Sequence, residues 1–381
     1  MEIEYGRPLK GDSRREWEEF ISRAGLKIED EPDLTVLIRD EAPAGDSAET
    51  SGAGSYGRTA AAGTSHAAVS GAASYGKIAA AGSRSGSIIK YLAVDPNMRG
   101  EDLTGKLMTE LVKDASEHGI EHLFLYTKPA NRVLFGGLLF FDVAETRDVL
   151  LMENVRGGAE KFVAGLEKPK PASKSEQIGN DARNGNAKIG AVVMNADPFT
   201  LGHLALIEKS ASECDALCVF VVSEDKGMFP ADDRLALVRE GTKHIPNVTV
   251  NPTGPYLISQ ATFPTYFMKD RDRAADAKCG LDIEIFCRYF VPAFGITDRY
   301  AGTEPLSRLT ASYNKTMNER LPLRGVAFHE VERLEIGGRP VSASEVRALF
   351  ERGDIDKLRE LVPQTTYDYL EAETSAERKT K

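Results

Sequence analysis

At 381 residues the chain exceeds what one hydrophobic core usually serves, so two domains are expected. Its 41% apolar and 28% charged residues fit a globular protein, and a formal charge of -10 argues against a general nucleic-acid or membrane-surface binder, which would show a basic face. The polar N-terminus is unlike a secretory signal and no apolar run nears the roughly 20 residues that span a bilayer, so a cytoplasmic protein is expected.

An amphipathic helix opens the chain, with Asp12 or Ser13 as its cap and Trp17, Phe20, Ile21 and Ala24 on one face. "DLTVLIRD" (33–40) reads as a strand. From Glu41 to about Ser87 the composition collapses into Gly, Ala and Ser, and "SYGRTAAAG" (55–63) is echoed by "SYGKIAAAG" (74–82). Two copies are too few for a solenoid. The first reads as a duplicated, mobile insertion and the second as the start of ordered structure. "SIIKYLAVDP" (87–96) is a strand. "GEDLTGKLMTELVKDASEHG" (100–119) is a helix with Leu103, Leu107, Met108, Leu111, Val112 and Ala115 on its buried stripe. "HLFLYT" (122–127) is another strand. Residues 166–187 turn polar and Pro/Gly/Asn-rich, as an interdomain linker does.

Beyond the linker the pattern alternates. "KIGAVVM" (188–194), "ALCVFVVS" (216–223), "NVTVNP" (247–252) and "DRYAGTEP" (298–305) read as strands, and "LGHLALIEKSASE" (201–213) and "ADDRLALVREGTKH" (231–244) as helices. Near-continuous apolar strands are buried on both faces, hence a parallel sheet with covering helices. "DIDKLRELVPQTTYDYLEAE" (354–373) reads as a last helical stretch. The four cysteines, Cys214, Cys218, Cys279 and Cys287, complete no zinc pattern and are expected as free thiols.

Two clusters carry chemistry. Thr200, Gly202 and His203 fall where a helix begins, after a strand. A helix N-terminus attracts phosphate, a glycine lets it approach the backbone, and a hydroxyl and a ring N–H donate to its oxygens. In "RPVSASEVRALF" (339–350), Ser342 sits at a helix cap, Ser344 in the first turn and Arg347 one turn on, where a planar guanidinium can grip two phosphate oxygens. Each cluster taken alone also suits a plain capped helix.

"TLGH" (200–203) resembles the T/H-x-G-H signature of the nucleotidyltransferase superfamily. "VSASEVR" (341–347) resembles its I-S-x-T-x-x-R signature, with Val341 for Ile and Ser344 for Thr. "NADPFTLGH" (195–203), "FVVSEDKGMFPADDRLALV" (220–238), "ISQATFPTYFMKD" (258–270) and "GTEPLSRLTASYNKTMNERLP" (302–322) together resemble the citrate lyase ligase family over most of 186–350. Ahead of them, "YLAVDPNMRGEDLTGKLM" (91–108) resembles the strand and pyrophosphate loop of a GNAT acetyltransferase. Arg99 and Gly100 match, but Asp102 and Thr104 replace small residues, and Leu139 stands where Gly is common in the later "VLFGGLLFF" (133–141).

The resemblance implies an α/β protein: a GNAT-like α+β domain over 1–165 with its Gly/Ala/Ser insertion at 41–87, the linker, and a Rossmann-like nucleotidyltransferase domain with a parallel sheet over 188–381. It implies ATP-dependent acetylation, by acetate through acetyl-adenylate, of the thiol on the CoA-like prosthetic group of the citrate lyase acyl carrier subunit. ATP would be a co-substrate and Mg²⁺ would bridge its phosphates. His203, Thr200 and Arg347 are the expected catalytic residues. Asn195, Pro198, Phe199, Gly202, Arg234, Gly302, Glu304, Ser342 and Ser344 are the expected nucleotide contacts, with Lys226 a further candidate and 258–267 a candidate acetate or pantetheine pocket. No resident metal, nucleic acid or membrane is implied. The alternatives are a small-molecule adenylyltransferase and a GNAT acetyltransferase with a nucleotide-binding domain.

Overall fold

The computed structural model describes residues 1–40, 76–171, 187–225, 227–257, 268, 271–303 and 308–380. The first repeat copy, most of the expected linker, Lys226, Glu304 and the 258–267 segment therefore lie outside the described residues. The chain divides into two compact units, Met1–Leu125 and Tyr126–Lys381.

In the first unit, strands β1 (Glu2–Gly6), β2 (Leu34–Arg39), β3 (Ile78–Ser85) and β4 (Ile88–Val94) form an antiparallel succession. β4 then pairs in parallel with the start of β5 (Phe124–Thr127). The Leu103–Glu117 helix buries Leu103, Leu107, Met108, Leu111 and Ala115 as its 3.6-residue period requires. It lies close against Gly82 of β3, where a Cβ would stand 3.1 Å from Leu111. Asp102 takes the left-handed conformation at φ 53°, and its carboxylate lies over the first helical turn, 2.5 Å from where a Cβ on Gly105 would stand. The first helix runs Gly11–Arg23. Lys10 occupies its N-cap position without a side-chain cap, so neither Asp12 nor Ser13 has the expected role. Trp17, Phe20 and Ile21 are buried, whereas Ala24 is exposed because the helix ends one residue before it.

The second unit opens with the antiparallel pair β6 (Phe141–Glu145) and β7 (Leu150–Glu153) and the short Gly158–Ala164 helix. Two tyrosines from later in the chain fasten this pair. Tyr256 donates its phenolic O–H to the Glu153 carboxylate at 2.7 Å, and Tyr289 donates to the Val143 carbonyl at 2.6 Å.

The main sheet has five strands, β8 (Ile189–Met194), β9 (Ala216–Val221), β10 (Val248–Pro252), β11 (Asp298–Gly302) and β12 (Ala327–Val331), in the order β10-β9-β8-β11-β12, and every pairing is parallel. The expected parallel sheet is present. The order reverses between β8 and β11, and in open α/β sheets ligands bind beyond the carboxyl ends of the strands at such a reversal. A core of Val192, Met194, Phe199, Ile207, Leu217, Val219, Val221, Val238 and Tyr300 fills the space under the Leu201–Ser212 and Ala231–Thr242 helices.

Among the elements that differ from the sequence pattern, three stand out. A long helical stretch, Arg271–Ile285 continuing through a π-turn to Phe294, occupies the region with no clear period. β12 has no counterpart among the expected strands, because "AFHEV" carries no continuous apolar run. The last stretch is two helices, Ile355–Leu358 and Gln364–Thr380, since Pro363 between them offers no amide hydrogen to continue the first.

Candidate active site

The chain leaves β8 at Asn195 and enters the Leu201–Ser212 helix through Thr200, which caps it. The Thr200 hydroxyl accepts from the His203 backbone N–H at 3.3 Å, and the Thr200 backbone N–H donates to His203 Nδ1 at 3.1 Å. This is a reciprocal capping box in which histidine replaces the usual Glu or Gln. It settles a chemical question. An Nδ1 that accepts carries no hydrogen, so the neutral ring has its proton on Nε2 as a donor. Burial, then the charges of Arg333 and Arg347, push the His203 pKa down to about 4. The ring is therefore neutral near pH 7. Thr200 itself is 1% exposed, and its hydroxyl serves the cap and the ring.

Gly202 sits against the other cluster. A Cβ there would stand 3.2 Å from the Val341 carbonyl oxygen, tighter than ordinary packing. Val341 leads into Ser342, which caps the Ala343–Glu351 helix by accepting from the Ser344 N–H at 3.2 Å. Arg347 returns from that helix toward the β8 loop. Its Nη1 donates to the Asp197 carbonyl and lies 3.5 Å from the Asp197 carboxylate, and its Nη2 donates to Ser344 Oγ at 3.2 Å. Asp197, 6% exposed, also accepts from the backbone N–H groups of Met228 (3.2 Å) and Phe229 (3.0 Å). One carboxylate thus links the loops after β8 and β9 to the arginine. The two clusters, separated by more than a hundred residues, meet at the carboxyl end of β8.

The other expected contacts divide. Asn195 is exposed at the end of β8, and its side-chain oxygen accepts from Arg234 at 2.8 Å. Pro198 and Phe199 are buried, Phe199 within the core. Gly302 ends β11, and its carbonyl accepts from Asn314 at 3.0 Å. Arg234 is wholly buried. It donates to the carbonyls of Phe229, Asn195, Val222 and Glu224, so it braces the strand-end loops from below instead of lying on a helix surface.

Arg333 is absent from the sequence-derived set. It follows β12, and its Nε donates to the Thr303 carbonyl at 2.7 Å, at the end of β11. From there its charge bears on His203 more strongly than that of Arg347 does. The signal in the sequence is faint: a lone arginine two residues past a strand that the apolar pattern does not mark. Two guanidinium groups and a neutral histidine near the sheet's point of reversal are donors of the kind that pair with a polyanion. Among the described residues no group of three or more His, Cys, Asp or Glu is placed to hold a metal ion, and no helix is long and apolar enough to cross a membrane.

Comparison with known proteins is consistent with this geometry. Residues 189–370 match the family described as citrate lyase ligase C-terminal domain. A citrate (pro-3S)-lyase ligase of Klebsiella pneumoniae is 40% identical over 301 residues, covering 78% of this chain and 84% of that protein. The corresponding ligase of Escherichia coli is 39% identical over 75% of this chain and 80% of its own length. A phosphopantetheine adenylyltransferase of Staphylococcus haemolyticus is 44% identical over 68 residues, 17% of this chain and 42% of that protein. With that extent of identity and coverage, the chain belongs to the citrate lyase ligase family.

Proposed function

We propose that this chain uses ATP and acetate to acetylate the thiol that ends the CoA-like group of the citrate lyase acyl carrier subunit, and so activates citrate lyase. The observation that carries the reading is the meeting of His203, Arg333 and Arg347 at the sheet's point of reversal, in a chain that shares 40% identity with a citrate lyase ligase over most of both lengths.

The chemistry divides into two displacements. An acetate oxygen attacks the α-phosphorus of ATP, forming the new P–O bond as pyrophosphate departs. The carrier thiol then attacks the acetyl carbonyl, losing its proton and displacing AMP. Little covalent chemistry falls to the protein; its residues align the reactants and stabilise charge as it builds on the phosphates. His203 donates from Nε2, and because the ring is neutral it holds a phosphate oxygen without a proton having to be added first. Arg347 donates from the opposite helix, held to the β8 loop through Asp197. Ser342 and Ser344 shape that helix's first turn, and Thr200 keeps the His203 ring in its tautomer. Bound to ATP, Mg²⁺ would offset charge on the phosphates.

The N-terminal segment, on its resemblance to GNAT acetyltransferases, is proposed to receive the prosthetic arm of the carrier. The Asp102 carboxylate over the helix start disfavours a pyrophosphate there, so the part of the arm we assign to this segment is its pantetheine stretch.

Acetate-dependent exchange of labelled pyrophosphate into ATP tests the reading. Exchange that requires acetate is expected. Its absence, with or without the deacetylated carrier present, overturns the acetyl-adenylate route.

A further inference from the structure

Ala196, two residues past the end of β8, holds a left-handed backbone at φ 49°, which a residue with a side chain rarely adopts. Strain of this kind persists only where the surroundings hold it, and it gathers at functional sites. The residue that follows this turn is the buried Asp197.

The Asp197 carboxylate closes a circuit through three parts of the second unit. Its two oxygens accept one backbone N–H each, from Met228 and Phe229 in the loop after β9. Phe229 packs in one apolar cluster with Val346 and Leu349, which flank Arg347 in the Ala343–Glu351 helix. Arg347 completes the circuit from that helix, donating to the Asp197 carbonyl with its Nη1 3.5 Å from the carboxylate. The loop approaches with no room to spare: a Cβ on Gly227 would stand 2.8 Å from both carboxylate oxygens.

A carboxylate is a costly brace at this place. Neutral oxygens would satisfy two amides, whereas a negative charge near the donors for a triphosphate repels the ligand. Its charge acts on His203 in the sense opposite to the charges of Arg333 and Arg347. What a charge adds over a neutral oxygen is grip on a guanidinium, since a charge-assisted contact is roughly twice as strong as a neutral one. A long arginine side chain must lose rotamer freedom before it can meet a phosphate oxygen. Held by Asp197 and by Ser344 Oγ, Arg347 has lost that freedom before ATP arrives. Donors set in place beforehand need no reorganisation as charge builds in the reaction.

We propose that Asp197 is a positioning residue, which fixes the Arg347 guanidinium for the phosphates and ties its place to the loop after β9. This deepens the ATP-site reading above and rests on it. Asp197 acts through Arg347: its charge weakens ATP binding while it holds the donor that the reaction uses.

The test compares the full-length wild type with Asp197→Asn and Gly227→Ala. Asparagine keeps one acceptor oxygen and loses the charge, and the alanine methyl displaces the carboxylate sterically. In acetate-dependent pyrophosphate exchange both variants should lose at least about tenfold in kcat, the scale of a slightly misplaced group, while the KM for ATP of Asp197→Asn does not rise. A brace that served folding alone would lower the Tm and leave kcat as it was. In an Arg347→Gln background, Asp197→Asn should cost little more, because the two changes act on one contact. A second readout needs no turnover. Phenylglyoxal, which labels guanidinium groups, should modify Arg347 faster in both variants than in the wild type, relative to the exposed Arg352 and read by peptide mass. An unchanged kcat, an equal loss in the Arg347→Gln background, or unchanged labelling of Arg347 overturns the proposal. If Asp197→Asn does not fold, Gly227→Ala decides by the same kcat and labelling. A wild type without acetate-dependent exchange would defeat the acetate reading itself, and the labelling then decides the role of Asp197.

Discussion

Gly202 and Val341 lie against each other: a Cβ on the glycine would come within 3.2 Å of the valine's carbonyl oxygen. Since Val341 is followed by Ser342, Ser344 and Arg347, this contact sets how closely the second cluster approaches His203. Gly202→Ala should push the two helix starts apart, at a cost of about 1–3 kcal/mol for overpacking. A fall in Tm with a matching rise in the KM for ATP is expected. An unaltered KM would mean that the spacing is not what the site depends on.

His203 should stay neutral down to the acidic range. Its pKa of about 4 lies below the ordinary value of 6.5, so the unfolded chain takes up a proton before the folded one does. The stability linked to keeping the ring neutral is thus present above about pH 6.5 and is lost as pH falls through about 4. Titrating the ring by NMR checks this directly. His203→Ala should cut exchange at least about a hundredfold, the usual effect of removing one donor to a transition-state oxygen, with little change in far-UV circular dichroism.

Arg333→Gln should move the His203 titration upward, since the charge that opposes ring protonation is gone. The same substitution should weaken ATP binding about tenfold or more, as expected for loss of a charge-assisted contact. Isothermal titration calorimetry with a non-hydrolysable ATP analogue measures the second effect. If the ring titration moves while ATP affinity does not, Arg333 tunes His203 without touching the phosphates.

Arg234→Met should destabilise the second unit by on the order of 3 kcal/mol, because it deprives four strand-end carbonyls of a charged donor at once. Chemical denaturation reads this. Arg234→Lys should recover only part of the loss, an ammonium being unable to span the same set of carbonyls as a planar fork.

Tyr256→Phe should loosen the attachment of β7 to the sheet domain. It removes the hydrogen bond to the buried Glu153 carboxylate, worth about 1.5–3 kcal/mol when one partner is charged. Faster amide exchange at Ala159 and its neighbours, whose amides sit beside that carboxylate, is the expected signature.

Much of the site is legible in residues near one another in the chain. Thr200 and His203 are three apart, and Ser342, Ser344 and Arg347 span about a turn and a half, so helix geometry alone places each group. What is not legible there is what the side chains do once partners from elsewhere arrive. Thr200 offers a hydroxyl on paper, yet its own helix takes it. Arg234 reads as a nucleotide contact or a surface charge, but the carbonyls it binds come from loops up to 39 residues away. Arg333 escapes notice because β12 lacks the continuous apolar run of its neighbours.

By itself the sequence determined the period of the Leu103–Glu117, Leu201–Ser212 and Ala231–Thr242 helices, the apolar parallel strands β8 to β10, the two capped helix starts and the family, because each is written in spacing over one or two turns or in long matching blocks. The tertiary structure alone decided which polar side chains gather at the strand ends and which brace the loops there. Those roles depend on burial and on pairings across the sheet, and neither is set until β8, β11 and β12 lie side by side.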